Sequence, residues 1–142
     1  MDQFYIENYL NFFKLIKSET KIMKNDLSDR LFNFAVRNVL FLRNLPNEPD
    51  FNNVRYQLSK SSTSPGANYE EAQAGSSKAD FIFKTEISLR EMRESNYWLR
   101  IIEATISYNG EIKQELDYLK NESSELKKIL GSIIVKSKTN LK

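Results

Sequence analysis

The 142-residue chain contains no cysteine and no histidine. Without cysteine there is no disulfide, no thiolate nucleophile and no cysteine zinc site. Without histidine the commonest general base is missing, together with the imidazole of a Ser or Cys triad and the Glu-x-x-His pairs of di-iron bundles. A hard-metal site built from carboxylates alone stays open, but no spacing of acidic residues supports one. No cofactor and no enzymatic role are expected, and Glu70, Glu71 and Glu86 are only weak candidates for a catalytic carboxylate. The chain also has only four glycines and three prolines, so turns must be few. A phosphate cradle needs a Gly-rich loop after a strand with Lys and Ser/Thr in fixed places, and that arrangement is absent. No uninterrupted apolar run approaches the ~20 residues of a membrane span.

What remains describes a helical protein. Apolar residues make up 40% and charged residues 28% of a chain the length of one domain, enough to bury a single core. The net charge of +2 is too small to argue for nucleic acid by itself. One basic cluster exists, however: Lys127, Lys128, Lys136, Lys138 and Lys142, with no carboxylate side chain among the intervening residues. It reads either as a solvated helix end, with lysines near the negative end of the helix dipole, or as a contact surface for nucleic acid.

Residues 1–25 carry Phe4, Tyr5, Ile6, Tyr9, Leu10, Phe12, Phe13, Leu15 and Ile16. Asp2 and Glu7 stand where a signal peptide wants basic charge and no small-residue cleavage site follows, so a cytoplasmic location without membrane insertion is expected. The segment is expected to form a short amphipathic helix packed on the body or on a neighbouring subunit; an arm that is mobile or lies on a membrane surface is the alternative. Residues 26–138 read as a four-helix bundle and residues 139–142 as a basic tail.

The first bundle helix follows capping residues at Asn25 to Ser28. Leu31, Phe34, Ala35, Asn38, Val39 and Leu42 form its inner face, and it stops near Asn44 to Leu45, before Pro46. Asp50 is expected to cap a second helix over residues 50–73, with Phe51, Val54, Leu58 and Ser61 inward. Pro65 should kink that helix near Ser61 to Pro65, and a complete break is the alternative. Gly75 is expected to end it in left-handed geometry, and Ser76 or Ser77 to start the third helix, with Asp80 completing the cap. Between Lys78 and Ser107 there is neither Pro nor Gly, and two apolar stripes run along the helix. Ile82, Leu89, Leu99, Ile102 and Ile106 make the first; Phe83, Ile87, Tyr97, Trp98 and Ile101 make the second. One bundle face needs one stripe, so the second predicts an oligomer, unless the monomer core and the N-terminal segment absorb it. After a tight connection at Asn109-Gly110, a fourth helix opens at Glu111. Ile112, Leu116, Leu119, Leu126, Ile129, Leu130 and Ile133 line it, it ends near Val135, and the tail after Ser137 frays. Short connections imply antiparallel neighbours, hence an all-α, up-down-up-down four-helix bundle with an additional N-terminal helical segment.

Four stretches carry a resemblance: FNFAVRNVL at 32–40, TSPGANYEEAQAGSSKADFIFK at 63–84, REMRESNYWLRII at 90–102 and LKKILGSIIVKSK at 126–138. In order and spacing they resemble the bacterial four-helix-bundle family named for 23S rRNA intervening-sequence proteins. The resemblance covers about residues 28–138 and departs from the usual Thr-Ser-Ile-Gly-Ala-Asn-Ile pattern at Pro65 and Tyr69. It implies a homopentameric ring and no catalytic activity. Similar pentamers serve as accessory proteins of diversity-generating retroelements, where basic surfaces engage a reverse transcriptase and nucleic acid. The residues that match the family pattern are Ser61, Gly66, Asn68, Glu71, Gly75, Asp80, Arg93, Glu94 and Trp98. Their plain reading is structural, as caps, close packing and polar pairs. The sharper reading has Asn68, Glu71 and Glu94 lining a shared groove for a partner. Two functional classes follow: an oligomeric scaffold that binds RNA or DNA through basic surfaces, or a protein-interaction scaffold with no nucleic-acid binding.

Overall fold

The computed structural model describes residues 27–75 and 77–140, together with Gln3, Glu7, Asn11 and Lys14. Apart from those four residues, the expected N-terminal helical segment lies outside the described residues, as do Asn25, Asp26, Ser76 and Lys142. Four helices follow one another: α1 (Leu27–Phe41), extended by a 3-10 turn (Leu42–Asn44), α2 (Asp50–Ala74), α3 (Lys78–Thr105) and α4 (Gly110–Thr139). No strand occurs among the described residues.

Consecutive helices pack on each other and α1 closes the ring of contacts against α4. The pairing register shows the directions. Ser61 meets Ser95 and Pro65 meets Ser88 between α2 and α3, while Arg30 meets Glu122 and Arg37 meets Glu115 between α1 and α4. In each pair of helices one number rises as its partner falls, so the neighbours are antiparallel. At one end of the bundle the Tyr108 hydroxyl donates to the Asn44 carbonyl at 2.7 Å, tying the α3–α4 connection to the α1–α2 connection. The core holds Leu31, Phe34, Phe41, Leu58, Met92, Leu99, Ile102, Leu116, Leu119, Leu126 and Leu130, all 0–1% exposed. Each such aliphatic or aromatic side chain contributes about 1.5–3 kcal/mol by leaving water.

Local chemistry explains where the helices start and stop. Leu45, which precedes Pro46, is extended at φ −72° and ψ 144°, because the proline ring crowds helical geometry in the residue before it. Ser77 caps α3, its hydroxyl accepting from the Asp80 amide at 3.1 Å, as expected. Gly110 turns at φ 61°, a conformation that costs glycine nothing, and α4 begins there, one residue before Glu111.

α2 runs without interruption through Pro65, in line with the expected single second helix, and the alternative of a complete break is excluded. Around it, the Ser88 hydroxyl of α3 donates to the Pro65 carbonyl at 2.8 Å, and the Thr63 hydroxyl donates back to the Ser59 carbonyl at 2.8 Å. Gly75 is not left-handed but extended, at φ −67° and ψ 154°. A Cβ there would press on the Asp80 carboxylate, the movable end of a side chain, and lie 3.2 Å from the Ala72 carbonyl oxygen. Asp50 is the first residue of α2 rather than a side-chain cap, so its carboxylate helps only through the helix dipole. Ser28 likewise lies inside α1, where its hydroxyl donates to Gln73 at 2.9 Å. On α1, Val39 is exposed and Ala35 half-buried, while Arg37 and Phe41 turn inward. α4 continues past Val135 to Thr139.

Candidate interaction surfaces

The bundle's polar interior positions its outer faces. Arg37 on α1 and Glu115 on α4 are 4% and 1% exposed and form a two-pronged pair, Nε to Oε1 and Nη2 to Oε2, each at 2.8 Å. The guanidinium also lies over the Tyr118 ring, with Cζ 3.4 Å from its centroid. Tyr118 donates to Glu122 at 3.0 Å, and Glu122 pairs with Arg30. Burial, and then the charge of Glu122, push the Tyr118 phenol up to about 12. A buried, doubly bonded arginine is a register device, since neither charge tolerates the loss of the other. Sequence reasoning missed it, although Arg37 falls between Phe34 and Phe41 on the apolar side of α1 and Glu115 adjoins Leu116.

Between α2 and α3 the seam is made of small polar residues. Ser61, Ser62, Thr85, Ser88 and Ser95 are fully buried, and the Ser95 hydroxyl donates to Ser61 at 3.0 Å. The family-pattern residue Ser61 belongs to this seam, whereas Gly66 lies on the other side of α2, against Leu31 of α1. Asn68 bonds back to Ser64 on its own helix, its amide nitrogen 3.0 Å from the carbonyl and 2.9 Å from the hydroxyl. Lys84 lies 3.6 Å from Glu71 and 3.4 Å from Asp80, at the Gly75 end. Glu94 sits at the level of Ser61, about ten residues and ~15 Å along the helices from Glu71. The structure therefore does not bring Asn68, Glu71 and Glu94 into one groove.

The remaining pattern residues, Arg93, Glu94 and Trp98, gather on the outward side of α3. Phe83, Arg90 and Tyr97 recur every seven residues along that side, opposite the buried Thr85, Ser88, Met92 and Leu99. Phe83 is 61% exposed and Tyr97 51%. Ile87, Glu94 and Ile101 flank this line on one side, Arg93 and Arg100 on the other. The Trp98 indole donates to Glu94 at 3.3 Å and meets the Tyr97 ring edge-on at 5.4 Å between centroids. Beside them the Glu91 carboxyl is held above the usual carboxylate range, by burial first and by the charge of Glu94 second. The second apolar stripe is thus divided: Trp98 and Ile101 pack partly on the core, and Phe83 and Tyr97 stand in solvent.

The lysine cluster is less uniform than its sequence implies. Lys138 pairs with Glu86 across to α3, and Lys128 lies 3.4 Å from Glu125. Lys136 is exposed and Lys127 half-buried. Lys142 lies outside the described residues. Of the weak carboxylate candidates, Glu86 is engaged by Lys138, Glu71 faces Lys84 and Glu70 stands apart at the rim of an apolar groove. Among the described residues no cluster of three or more acids could hold a metal ion, and no helix is long and apolar enough to cross a membrane.

That groove runs between α1 and α2 and encloses about 390 Å³. Phe32, Ala35, Val36, Val39 and Leu40 line it from α1, and Thr63, Gly66, Ala67 and Glu70 from α2. Periodicity alone hides it, because Val39 repeats in step with the inward Leu31 and Leu42 although it stands exposed.

The family model for the 23S rRNA-intervening sequence protein matches residues 23–132. Among solved structures, a protein with unknown function from the S23 ribosomal protein family of Bacteroides thetaiotaomicron is similar, at 38% identity and a TM-score of 0.67. The match covers 77% of this chain and 98% of that one. No curated protein matches. With the antiparallel bundle and the matching residues in place, the chain belongs to the 23S rRNA-intervening sequence protein family.

Proposed function

We propose that this protein is a non-catalytic, cytoplasmic scaffold that works through protein contacts on the outward face of α3. The observation that carries this reading is the Phe83–Arg90–Tyr97 line. Two large apolar side chains and an arginine stand on the side of the helix that the bundle core does not use. Aromatic and arginine residues are the types that dominate protein interfaces, whereas an isolated monomer gains nothing by exposing them in a row. The first partner is another copy of the chain. A contact between two different faces of one molecule closes into a ring when the rotation allows, and the homopentamer implied by the family resemblance is such a ring.

The second reading is binding of RNA or DNA, or of a reverse transcriptase, through Lys127, Lys128, Lys136, Lys138 and Lys142. It is favoured by the crowding of those cations toward one helix end, which five copies would multiply. It is weakened by the engagement of Lys128 and Lys138 with carboxylates. One set of preparations tests both. In light scattering coupled to size exclusion, the full chain is expected to be oligomeric and the Phe83→Asp/Tyr97→Asp variant monomeric, with unchanged helical circular dichroism. A monomeric wild type, or a variant that still assembles, overturns the reading. Titration of the wild type with labelled single-stranded RNA at low salt is expected to show no binding; salt-sensitive binding, lost on neutralising the lysines, selects the second reading instead.

A further inference from the structure

We propose that the α1–α2 groove is the seat of the same chain's own N-terminal segment, residues 1–24. The groove is open and mostly apolar: Phe32 is 59% and Val39 41% exposed, and Val36, Leu40 and Ala67 lie beside them. Its volume of about 390 Å³ lies within the range, roughly 300–1,000 Å³, of pockets that enclose apolar groups. Its place in the fold favours a local occupant. Phe32 lies five residues after Leu27, where α1 begins, and 26 residues precede Leu27 in the sequence. From Phe32 to Leu40 the groove extends ~12 Å, a length that eight residues of helix cover, and an antiparallel return of the chain needs a connection of only ~2–5 residues.

The chemistry of the segment fits. Gln3, Glu7, Asn11 and Lys14 are helical and exposed, at spacings of four, four and three, which is one face of a helix. On a helix, Tyr5, Tyr9, Phe12 and Ile16 fall on the opposite face, an apolar stripe of the kind that docks into grooves. The groove's acidic lining residue is Glu70, and beyond the apolar stripe the segment supplies Lys17, Lys21 and Lys24. The family match begins at residue 23, so nearly all of the segment lies outside the shared bundle. The inference is independent of assembly through α3, which uses another face.

Because the chain has no cysteine, Ala67→Cys places a single thiol on the groove of the full-length protein. Its reaction with a soluble aromatic disulfide is expected to be slow and independent of protein concentration. Adding Tyr9→Ser and Phe12→Ser is expected to speed it by about tenfold or more, as exposure of a covered site does. Thr63→Cys, on the same lining, provides a second thiol in case Ala67→Cys perturbs the packing. A thiol that reacts fast in the otherwise unaltered chain overturns the proposal. So does one whose protection survives the segment changes. Protection that grows with protein concentration also overturns it, since a second copy then fills the groove.

Discussion

At the scale of single residues, the most consequential group is the Arg37–Glu115 pair. Both charges are buried and doubly bonded, so removing one strands the other in a medium that cannot solvate it. Arg37→Met alone, or Glu115→Leu alone, is expected to cost about 3–5 kcal/mol, whereas the two together should restore stability to near the wild-type value. Urea unfolding of the four proteins, read as a double-mutant cycle, checks this; additive losses would contradict it. The pair was not legible in the sequence because its partners are 78 residues apart, and nothing local marks a charge that will be inside. The Ser77 cap was legible because its hydroxyl reaches only three residues along the chain.

At the scale of elements, α4 contains two glycines with opposite roles. Gly110 turns at φ 61°, where a Cβ is strained, while Gly131 lies within the helix with nothing within 4 Å of a Cβ built on it. Gly110→Ala is therefore expected to destabilise the fold by about 1–2 kcal/mol. Gly131→Ala is expected to stabilise it by about 0.5–1 kcal/mol, the ordinary cost of glycine in a helix. Thermal unfolding with circular dichroism reads both signs, and a gain at Gly110 or a loss at Gly131 would refute the assignment. Element order and most boundaries were legible for the same local reasons: prolines, caps and periodicity act within a few residues. Continuity through Pro65 was legible too, as the expectation of one helix over residues 50–73. The Ser88 contact from the neighbouring helix was not, because it joins residues 23 apart in the chain.

At the scale of the whole molecule, two tyrosines make stability depend on pH at the alkaline end. Burial raises both Tyr108 and Tyr118 from 10.0 to about 12, with the Glu122 charge as the next cause for Tyr118. Unfolding returns both phenols to water, so between pH 10 and 12 the unfolded chain gives up protons that the folded one keeps. Stability is complete below pH 10 and falls as the pH rises toward 12. The urea midpoint is expected to drop across that window, and Tyr118→Phe to flatten the fall. A midpoint that stays level there would show that the phenols are not desolvated.

Composition and periodicity alone determined that the protein is all-helical, that it has four bundle helices in a known order, and that histidine and cysteine chemistry are closed to it. These follow from residue types and from spacings of three or four, which act within a single helix. Only the tertiary structure decided how the second stripe of α3 is divided between core and solvent. A helical wheel shows faces but not neighbours, and here the inward face carries Thr85, Ser88 and Ser95 because α2 presents Ser61, Ser62 and Pro65 to it. Small polar side chains let the two helices pack together and satisfy one another's hydroxyls. Phe83 and Tyr97 are left outside as a consequence, which is what gives the molecule a face to offer a partner.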